Sequence, residues 1–331
     1  MRPLLITPGD PAGIGPEVTC RALVERIRAG KPVCALIVGH EESIRSSAAA
    51  AGLAIRPTHN GGDGGYDSNS IAVFEPPRVE GLVEADSLRF AVQAIQRGEA
   101  SALVTGPIHK ARMAARGFEF AGHTDFLAHL CGVDSPVMAF VGGRLKVALV
   151  TVHVPLRRVV AVLSTEKVLH TIRLAHDALA SQCGIRAPRL LVCGVNPHAG
   201  DNGLLGDEES TTIAPAIAAA CSLGIDARGP ISAETAFRKV WDGEADLVVA
   251  MYHDQGLAPL KLVDFGRSVN WTLGLPIVRT SVDHGTADDL VGTGRASSAS
   301  MDAAIRWAEH LVQMSERSAR SSAERNVERS D

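Results

Sequence analysis

The chain has 331 residues, of which 46% are hydrophobic, 21% charged and only 4% aromatic, and its formal net charge is −4. This length suffices for about two domains with buried cores, while the scattered cations and few aromatic side chains argue against a nucleic-acid-binding protein. No apolar run approaches the ~20 residues that span a bilayer, and the apolar stretch near the N-terminus is too short for a signal peptide. We therefore expect a cytoplasmic protein that binds neither nucleic acid nor membranes.

Predicted strands and helices alternate along the chain. Short runs rich in Val, Leu and Ala predict buried strands at 1–7, 33–39, 71–74, 101–105, 145–152, 189–195 and 246–252. Apolar residues at helical spacing predict helices at 16–29, 84–98, 165–182 and 299–313. A Gly-, Asn- and Asp-rich stretch predicts a loop at 57–70. This alternation is typical of an α/β fold with a largely parallel sheet.

The turn that joins the first strand to the first helix is rich in glycine and proline (7–17, TPGDPAGIGPE). A strand–turn–helix of this kind can present backbone N–H groups to an anion or form the floor of a cleft, and a purely structural tight turn is the alternative. The turn is not G-x-G-x-x-G, and Gly292-Thr293-Gly294 lacks both a preceding strand and the final glycine. The sequence therefore does not support a Rossmann dinucleotide site.

Three of the twelve histidines share one kind of position: His153, His198 and His253 each follow a predicted buried strand. Ligands of open α/β sheets bind beyond the carboxyl ends of the strands. Three neutral imidazoles also leave one coordination position open, as in catalytic zinc sites. The pattern indicates a divalent-metal site, although each histidine taken alone can equally be an ordinary polar residue at the start of a loop.

Candidate phosphate ligands occur at a predicted helix start, where Gly122 is followed by His123 and Thr124. The Thr124 hydroxyl and the His123 imidazole can donate hydrogen bonds, and a helix N-terminus favours an anion. A simple helix cap is the alternative interpretation of this pattern.

Further candidates are Lys261, Asn270 and Arg279, in the stretch 256–286, and Lys110, which follows the predicted strand 101–105. Arg279 can grip a phosphate with two parallel hydrogen bonds, and Lys261 can act as a point charge. For each of these residues alone, a solvated surface position or a turn cap remains the alternative.

Taken together, six motifs resemble those of the 4-hydroxythreonine-4-phosphate dehydrogenase (PdxA) family. They are ITPGDPAGIGPEV (6–18), TGPIHK (105–110), GHTDFLA (122–128), NPHAGDNGLLGDEE (196–209), MYHDQG (251–256) and VNWTLGLPIVRTSVDHGT (269–286). The resemblance extends from Ile6 to about Leu311.

The resemblance implies the fold of isocitrate and isopropylmalate dehydrogenases, in which two α/β domains flank a cleft. We expect residues 1–124 and 265–331 to form a discontinuous first domain and residues 125–264 to form the second. The resemblance also implies a homodimer whose active sites lie at the subunit interface and take residues from both subunits.

The resemblance also assigns site residues, motif by motif. The metal ligands would be His153, His198 and His253, and the substrate-binding residues would be His123, Thr124, Lys261, Asn270 and Arg279. Candidate proton acceptors are Lys261, which we rank first, Asp254 and Lys110. Trp271 stands beside Asn270 where the family commonly has a smaller aliphatic residue, which leaves the shape of the substrate pocket open.

The implied reaction is the NAD- or NADP-dependent oxidation of 4-phosphooxy-L-threonine at its 3-hydroxyl, within pyridoxal phosphate biosynthesis. The product, 2-amino-3-oxo-4-phosphooxybutanoate, would then decarboxylate to 3-amino-2-oxopropyl phosphate. A divalent metal on the alcohol oxygen would lower its pKa and stabilise the developing ketone. Histidine ligation favours zinc, with cobalt, manganese or magnesium as alternatives.

Other activities are compatible with parts of the pattern. A branch of the same family oxidises 4-phospho-D-threonate or 4-phospho-D-erythronate with the same histidines and phosphate ligands, although TGPIHK (105–110) favours the biosynthetic branch. A third branch oxidises cis-diols of aromatic dicarboxylates, and the phosphate ligands argue against it. A zinc-dependent aldolase or lyase would use the same site residues without a nicotinamide cofactor, whereas a non-catalytic phosphate-binding module would leave the three histidines unexplained.

Overall fold

The computed structural model describes the backbone of residues 2–58, 70–79 and 81–328, and side chains as far as residue 317. Most of the loop predicted at 57–70 lies outside the described residues. The chain divides into two compact units. Unit 1 comprises Met1–Pro136 and Leu275–Val312, and unit 2 comprises Val137–Gly274 and Gln313–Asp331.

The elements of residues 2–136 are β1 (Leu4–Thr7), α1 (Gly15–Arg28), β2 (Ala35–Val38), α2 (Glu41–Ala51), β3 (Ala54–Pro57), β4 (Ser70–Phe74), α3 (Val83–Gln96), β5 (Ala102–Thr105), α4 (Lys110–Ala114) and α5 (His123–Cys131). Those of residues 137–274 are β6 (Val137–Gly142), β7 (Leu145–Leu149), α6 (Val159–Val162), α7 (Thr165–Ser181), β8 (Arg189–Cys193), α8 (Ala214–Ser222), β9 (Asp226–Ile231), α9 (Ala233–Trp241), β10 (Leu247–Ala250), α10 (His253–Asp264) and β11 (Val269–Leu273). The remaining elements are β12 (Arg279–Val282) and α11 (Ala299–Glu328). None of the described helices is both long and apolar enough to cross a membrane.

The strands of unit 1 lie in the order β3-β4-β2-β1-β5-β12, and every pair is parallel. The central strands β1, β2 and β5 are buried along their whole length, as expected for parallel strands that read as continuous apolar runs. Leu5 pairs with Leu36 on one side and Leu103 on the other, and the three side chains belong to one core cluster with residues of α3 and α5.

The strands of unit 2 lie in the order β11-β6-β7-β10-β8-β9. β10 is parallel to both β7 and β8, and β8 is parallel to β9, whereas β6 is antiparallel to β7 and β11. The hydrophobic core of unit 2 packs β7, β8 and β10 against α9 and α10. The predicted α/β class with largely parallel pairing is therefore confirmed, with one antiparallel segment that the sequence analysis did not predict.

Several predicted boundaries differ from the observed ones. Strand β7 ends at Leu149 rather than at residue 152, although the Val150 and Thr151 N–H groups still donate to the Ala250 and Met251 carbonyls. His153 consequently lies in the loop beyond β7 instead of at the strand end. Ser164 is the N-cap of α7, with its Oγ accepting from the Lys167 N–H at 3.3 Å.

The predicted domain boundaries at 124/125 and 264/265 lie N-terminal to the boundaries between the two units. The residues from Gln313 onward, which the prediction placed in the first domain, are grouped with unit 2. Their helix, α11, begins at Ala299 as predicted and continues beyond the predicted end at 313.

Candidate active site

In unit 1, the turn after β1 crosses the turn after β5 at the closest distance that main chain allows. A Cβ at Gly9 would collide with the Pro107 carbonyl oxygen, and a Cβ at Gly15 or Gly106 would collide with that of Pro8. The Asp10 N–H donates to the Pro107 carbonyl at 2.9 Å, and the Gly106 N–H donates to the Thr7 carbonyl at 2.7 Å. The glycines of the 7–17 turn therefore serve this close backbone approach.

Arg279 occupies the first position of β12 and is 2% exposed. Its Nη2 donates to the Oγ1 of Thr105, the last residue of the neighbouring strand β5, at 2.8 Å. Burial lowers the pKa of the guanidinium to about 10, so Arg279 keeps its positive charge at neutral pH. A buried cation of this kind is suited to pairing with an anion in a desolvated site.

His123 begins α5, as the sequence predicted, and lies within the electrostatic reach of Arg279 and Lys110. Although its side chain retains partial exposure, desolvation and then the charges of Arg279 and Lys110 lower its pKa to about 3. His123 is therefore neutral at physiological pH and can donate one hydrogen bond without adding charge.

Lys110 begins the short helix α4 and is exposed, and Thr124 follows His123 on α5. The absence of a side chain at Gly122 leaves space for Lys110, since a Cβ at position 122 would lie 3.2 Å from the Lys110 Cε and 3.5 Å from its Nζ. The structure thus brings together three predicted residues of unit 1, His123, Lys110 and Arg279, with Thr124 adjacent in the same first turn.

An ion-pair network holds the turn that contains Asp10. The buried Asp10 carboxylate accepts from the Arg112 Nε at 2.7 Å, and Arg112 also donates to both oxygens of Asp288, at 2.6 and 3.1 Å. The hydrogen bonds from Arg112 lower the pKa of the Asp288 carboxyl to about 2. The sequence analysis did not assign these residues a role, because nothing in the spacing of positions 10, 112 and 288 indicates that they meet.

A cleft of about 640 Å³ lies in unit 1 between α1, α2 and the loop 291–294. It is lined by the cations Arg21 and Arg28, the acids Glu17 and Glu25, and the backbone of Gly292 and Gly294. Both its volume and its mixture of charged, hydroxyl and small residues suit a polar organic ligand of nucleotide size.

In unit 2, the imidazole rings of His153 and His253 have centroids 6.1 Å apart and planes tilted by 38°. His253 is the first residue of α10, and its Nδ1 lies 2.7 Å from Asp254 Oδ1. A carboxylate that accepts from Nδ1 leaves the Nε2 lone pair free to bind a metal ion. The exposed Asp254 is thus in a position to orient His253.

His198 lies in the turn Pro197–Gly203, called here the His198 turn, where it has φ 53° and is the first of six consecutive residues with positive φ. It is close enough to Glu234, at the start of α9, to contribute to the lowered pKa of that carboxyl, after hydrogen bonds from Ser232 and the Glu234 backbone. The buried Glu209 accepts from the N–H groups of Val195 and Asn196 at 2.7 and 2.8 Å. Burial raises the pKa of Glu209, but the hydrogen bonds, chiefly from Asn196, more than offset this effect and lower it overall.

The chemistry of the three histidines fits a divalent transition metal, because imidazole nitrogen is a preferred ligand of zinc and cobalt. Within the part of the chain that the structure describes, however, no three His, Cys, Asp or Glu side chains form a group that could hold a metal ion. The adjacent rings of His153 and His253 therefore provide part of a ligand set.

The remaining predicted residues of unit 2 lie on α10 and β11. Lys261 lies on α10, seven positions after Asp254, and its side chain is half-buried. Asn270 on β11 has a buried Oδ1 for which the described residues provide no hydrogen-bond donor. Trp271, the next residue, is fully buried in the core and donates from Nε1 to the Gln182 side chain at 3.1 Å. Because neighbouring strand residues point to opposite faces, Trp271 does not share the face of Asn270.

Comparison with known proteins identifies the family. Residues 33–308 match the model of the pyridoxal phosphate biosynthetic protein PdxA family. The chain is 42% identical to a 4-hydroxythreonine-4-phosphate dehydrogenase of Geobacter metallireducens, with 94% of this chain and 96% of the relative covered. The chain belongs to the PdxA family, as predicted from its motifs, and is an enzyme of this dehydrogenase class.

Solved structures agree with this assignment. The crystal structure of 4-hydroxythreonine-4-phosphate dehydrogenase from Klebsiella pneumoniae matches with a TM-score of 0.86 at 36% identity, covering 94% of this chain and all of that one. A terephthalate 1,2-cis-dihydrodiol dehydrogenase from Burkholderia xenovorans matches with a TM-score of 0.62 at 28% identity, covering 93% and 97%.

Proposed function

We propose that this enzyme oxidises 4-phosphooxy-L-threonine at its 3-hydroxyl with NAD or NADP and a divalent metal. The product, 2-amino-3-oxo-4-phosphooxybutanoate, loses carbon dioxide to give 3-amino-2-oxopropyl phosphate. The observation that carries this proposal is the cluster of buried Arg279, neutral His123 and Lys110 in unit 1. It supplies two cations and one neutral donor, which is a suitable set for a phosphate dianion.

The residues of unit 1 would bind and orient the phosphate. Arg279 would donate from its guanidinium, which Thr105 holds in place, while Lys110 would add a mobile point charge. The Thr124 hydroxyl and the N-terminus of α5 would donate further hydrogen bonds. Fixing the phosphate in this way positions the 3-hydroxyl for reaction, because binding energy from a non-reacting group contributes to orientation.

The residues of unit 2 would act near the reacting carbon. His153, His198 and His253 would hold the divalent metal, which when bound lowers the pKa of the alcohol and stabilises negative charge on its oxygen. Asp254 would orient His253 through Nδ1, a role that makes it a weaker candidate for the proton acceptor. Lys261 remains our first candidate for that role, and the unpartnered Oδ1 of Asn270 would accept a hydrogen bond from the substrate.

A bound nicotinamide cofactor would supply the hydride acceptor, and the base of the chain would take the hydroxyl proton. The cleft between α1, α2 and loop 291–294 has a volume that suits the nucleotide part of such a cofactor. Arg21 and Arg28 would pair with its phosphates. This location would explain NAD(P) binding without a Rossmann fingerprint.

We further propose a homodimer in which two copies complete each metal site. Two observations support this arrangement: within one chain, the described residues provide only adjacent His153 and His253 rings, and unit 2 exposes large apolar side chains. Leu204, Leu262 and Phe265 are 81%, 86% and 84% exposed. Apolar side chains of this size suit an interface more than a solvated surface.

Absorbance of the reduced cofactor tests the function directly. Purified protein would receive NAD or NADP, a divalent metal and either 4-phosphooxy-L-threonine or 4-phospho-D-threonate, with and without a chelator. Chelator-sensitive turnover of the L-threonine ester alone would support the proposal, and turnover of the D-threonate alone would favour the sugar-acid branch. Turnover without any nicotinamide cofactor would favour an aldolase or lyase.

Two inactive variants test the shared metal site. His198→Ala and His253→Ala should each abolish turnover while the protein stays folded. If His198 and His253 of one site come from different copies, mixing the two variants under subunit exchange should restore about one quarter of the wild-type activity. A mixture that stays inactive despite proven exchange would assign His198 and His253 of each site to the same chain.

A further inference from the structure

The segment that leads into the His198 turn is held by two side chains that no part of the proposed chemistry uses. Glu209 Oε1 accepts from the N–H groups of Val195 and Asn196, and its Oε2 accepts from Asn196 Nδ2 at 3.0 Å. From the other side, Gln255 Nε2 donates to the Gly194 carbonyl at 2.7 Å. Consecutive backbone groups just before His198 are thus fixed from two directions.

The same Gln255 also reaches the strand that precedes His253. Its Oε1 accepts from the Met251 N–H at 2.6 Å, so one amide side chain links the end of β10 to the end of β8. Gln255 lies two residues after His253, in the first turn of α10. The backbone before His198 and the backbone around His253 are therefore joined by direct hydrogen bonds.

The turn is also built around the Glu209 carboxylate. A Cβ at Gly200 would lie 2.6 Å from Glu209 Oε2, and a Cβ at Gly194 would lie 2.8 Å from Oε1. His198, Ala199, Asp201 and Asn202 all have positive φ, which costs free energy for residues other than glycine. Because this conformation is intrinsically unfavourable, it needs tertiary contacts to hold it, and Glu209 provides them.

We propose that Glu209 and Gln255 are positioning residues that hold the His198 turn in one conformation before any ligand binds. This inference deepens the proposed function and rests on the role proposed there for His198. Glu209 would preorganise the turn itself, and Gln255 would anchor the backbone before the turn to the end of β10. The consequence would be a lower entropic cost when the imidazoles bind a divalent ion.

The test measures the order of the His198 turn and the affinity for the metal ion in separate experiments. Amide hydrogen exchange in the metal-free protein reports the order of residues 195–203, and titration with Co²⁺, followed by its visible absorption, reports the affinity of the imidazoles. The variants are Glu209→Ala, Glu209→Gln and Gln255→Ala. The matched control is Glu208→Gln, because Glu208 accepts from the Asn196 side chain at 2.6 Å, whereas Glu209 accepts from the backbone, and glutamine keeps an acceptor oxygen.

In Glu209→Ala we expect exchange in the turn to accelerate by at least about tenfold and the Kd for Co²⁺ to rise by about 10- to 100-fold. Glu208→Gln should leave both nearly unchanged. Should Glu209→Ala fail to fold, Glu209→Gln decides, since an amide must place an N–H group against either the Asn196 amide or the two backbone donors. Gln255→Ala should weaken Co²⁺ binding with a smaller change in exchange.

Wild-type exchange in the turn of both Glu209→Gln and Glu209→Ala would overturn the proposal, as would accelerated exchange with unchanged Co²⁺ affinity. A wild-type protein that binds no Co²⁺ would overturn the metal role of the histidines and with it the positioning role. The exchange data would then show whether Glu209 still orders the turn as a purely structural residue. A failure of the metal site is thereby distinguished from a failure of Glu209 to order the turn.

Discussion

Arg279 and Thr105 are joined by a hydrogen bond of 2.8 Å between Nη2 and Oγ1, and both residues are buried. The hydroxyl therefore orients a guanidinium that has left bulk water.

Thr105→Val would remove this acceptor and keep the shape of the side chain. We expect the free energy of unfolding to fall by about 1–3 kcal/mol, because the buried cation loses a partner, and the KM for the phosphorylated substrate to rise. The control is Thr280→Val on β12, which removes a buried hydroxyl that donates to the Ala304 carbonyl at 2.9 Å. Thr280→Val should lower stability without changing KM. Urea unfolding and steady-state kinetics measure both quantities, and equal KM values in the two variants would contradict the role of Arg279.

The low pKa of His123 makes stability depend on pH. The unfolded side chain takes up a proton below about 6.5, whereas the folded one does so only near 3. Between these values the unfolded state binds more protons, so the free energy of unfolding decreases as pH falls from 6.5 toward 3. His123→Asn should lack this part of the decrease. Urea unfolding of both proteins at pH 7.5 and 5 measures it, and parallel losses of stability would show that His123 protonates normally when folded.

Gly122→Ala tests the role of Lys110 without removing it. The added Cβ would press on the Lys110 Cε from 3.2 Å, and the backbone of Gly122 is extended, with φ 168°, so alanine causes no backbone strain. We expect a stability change within about 0.5 kcal/mol, because the end of a lysine side chain can move. Activity should decrease toward that of Lys110→Ala. Wild-type kinetics in Lys110→Ala itself would remove Lys110 from both the substrate-binding and the proton-acceptor candidates.

Trp271 should affect stability and not substrate binding. Trp271→Phe loses the hydrogen bond to Gln182 and leaves a small cavity, so we expect a loss of about 1–3 kcal/mol. The KM should remain at the wild-type value, because the indole points into the core of unit 2. A changed KM with unchanged Tm would instead mean that Trp271 shapes the pocket, which the departure from the family pattern left open.

The strands that the sequence predicted correctly are buried along most or all of their length. The strands β1, β8 and β10 read as apolar runs because both their faces are covered. Five strands were missed: β3, β6, β9, β11 and β12. Two of them carry other signals, since β3 is an exposed edge strand that ends in Pro57, and β9 includes Asp226, Gly229 and Pro230. Their pairing depends on neighbours that no local pattern reveals.

The sequence indicated candidate site residues but not their contacts. Predicted element boundaries indicated His123 and His253, whereas Arg279 was a candidate because of its guanidinium group. That Thr105 would hold Arg279 depends on the parallel register of β5 and β12, which only the folded chain shows. The same is true of Glu209, whose partners lie 13 and 14 residues away across a turn of unusual backbone conformation.

The crossing of the two turns near Pro8 and Pro107 is made of main-chain atoms, because Gly9, Gly15 and Gly106 bring no side chains to it. The backbone conformation of the crossing therefore depends little on most of the neighbouring side chains. Substitutions should disturb it at only a few positions. A directed-evolution library that keeps these glycines and varies the residues beside them could explore new substrates on an unchanged scaffold. Variation at the glycines themselves would yield few folded clones, so the crossing divides this part of the gene into codons that are free to change and codons that are not.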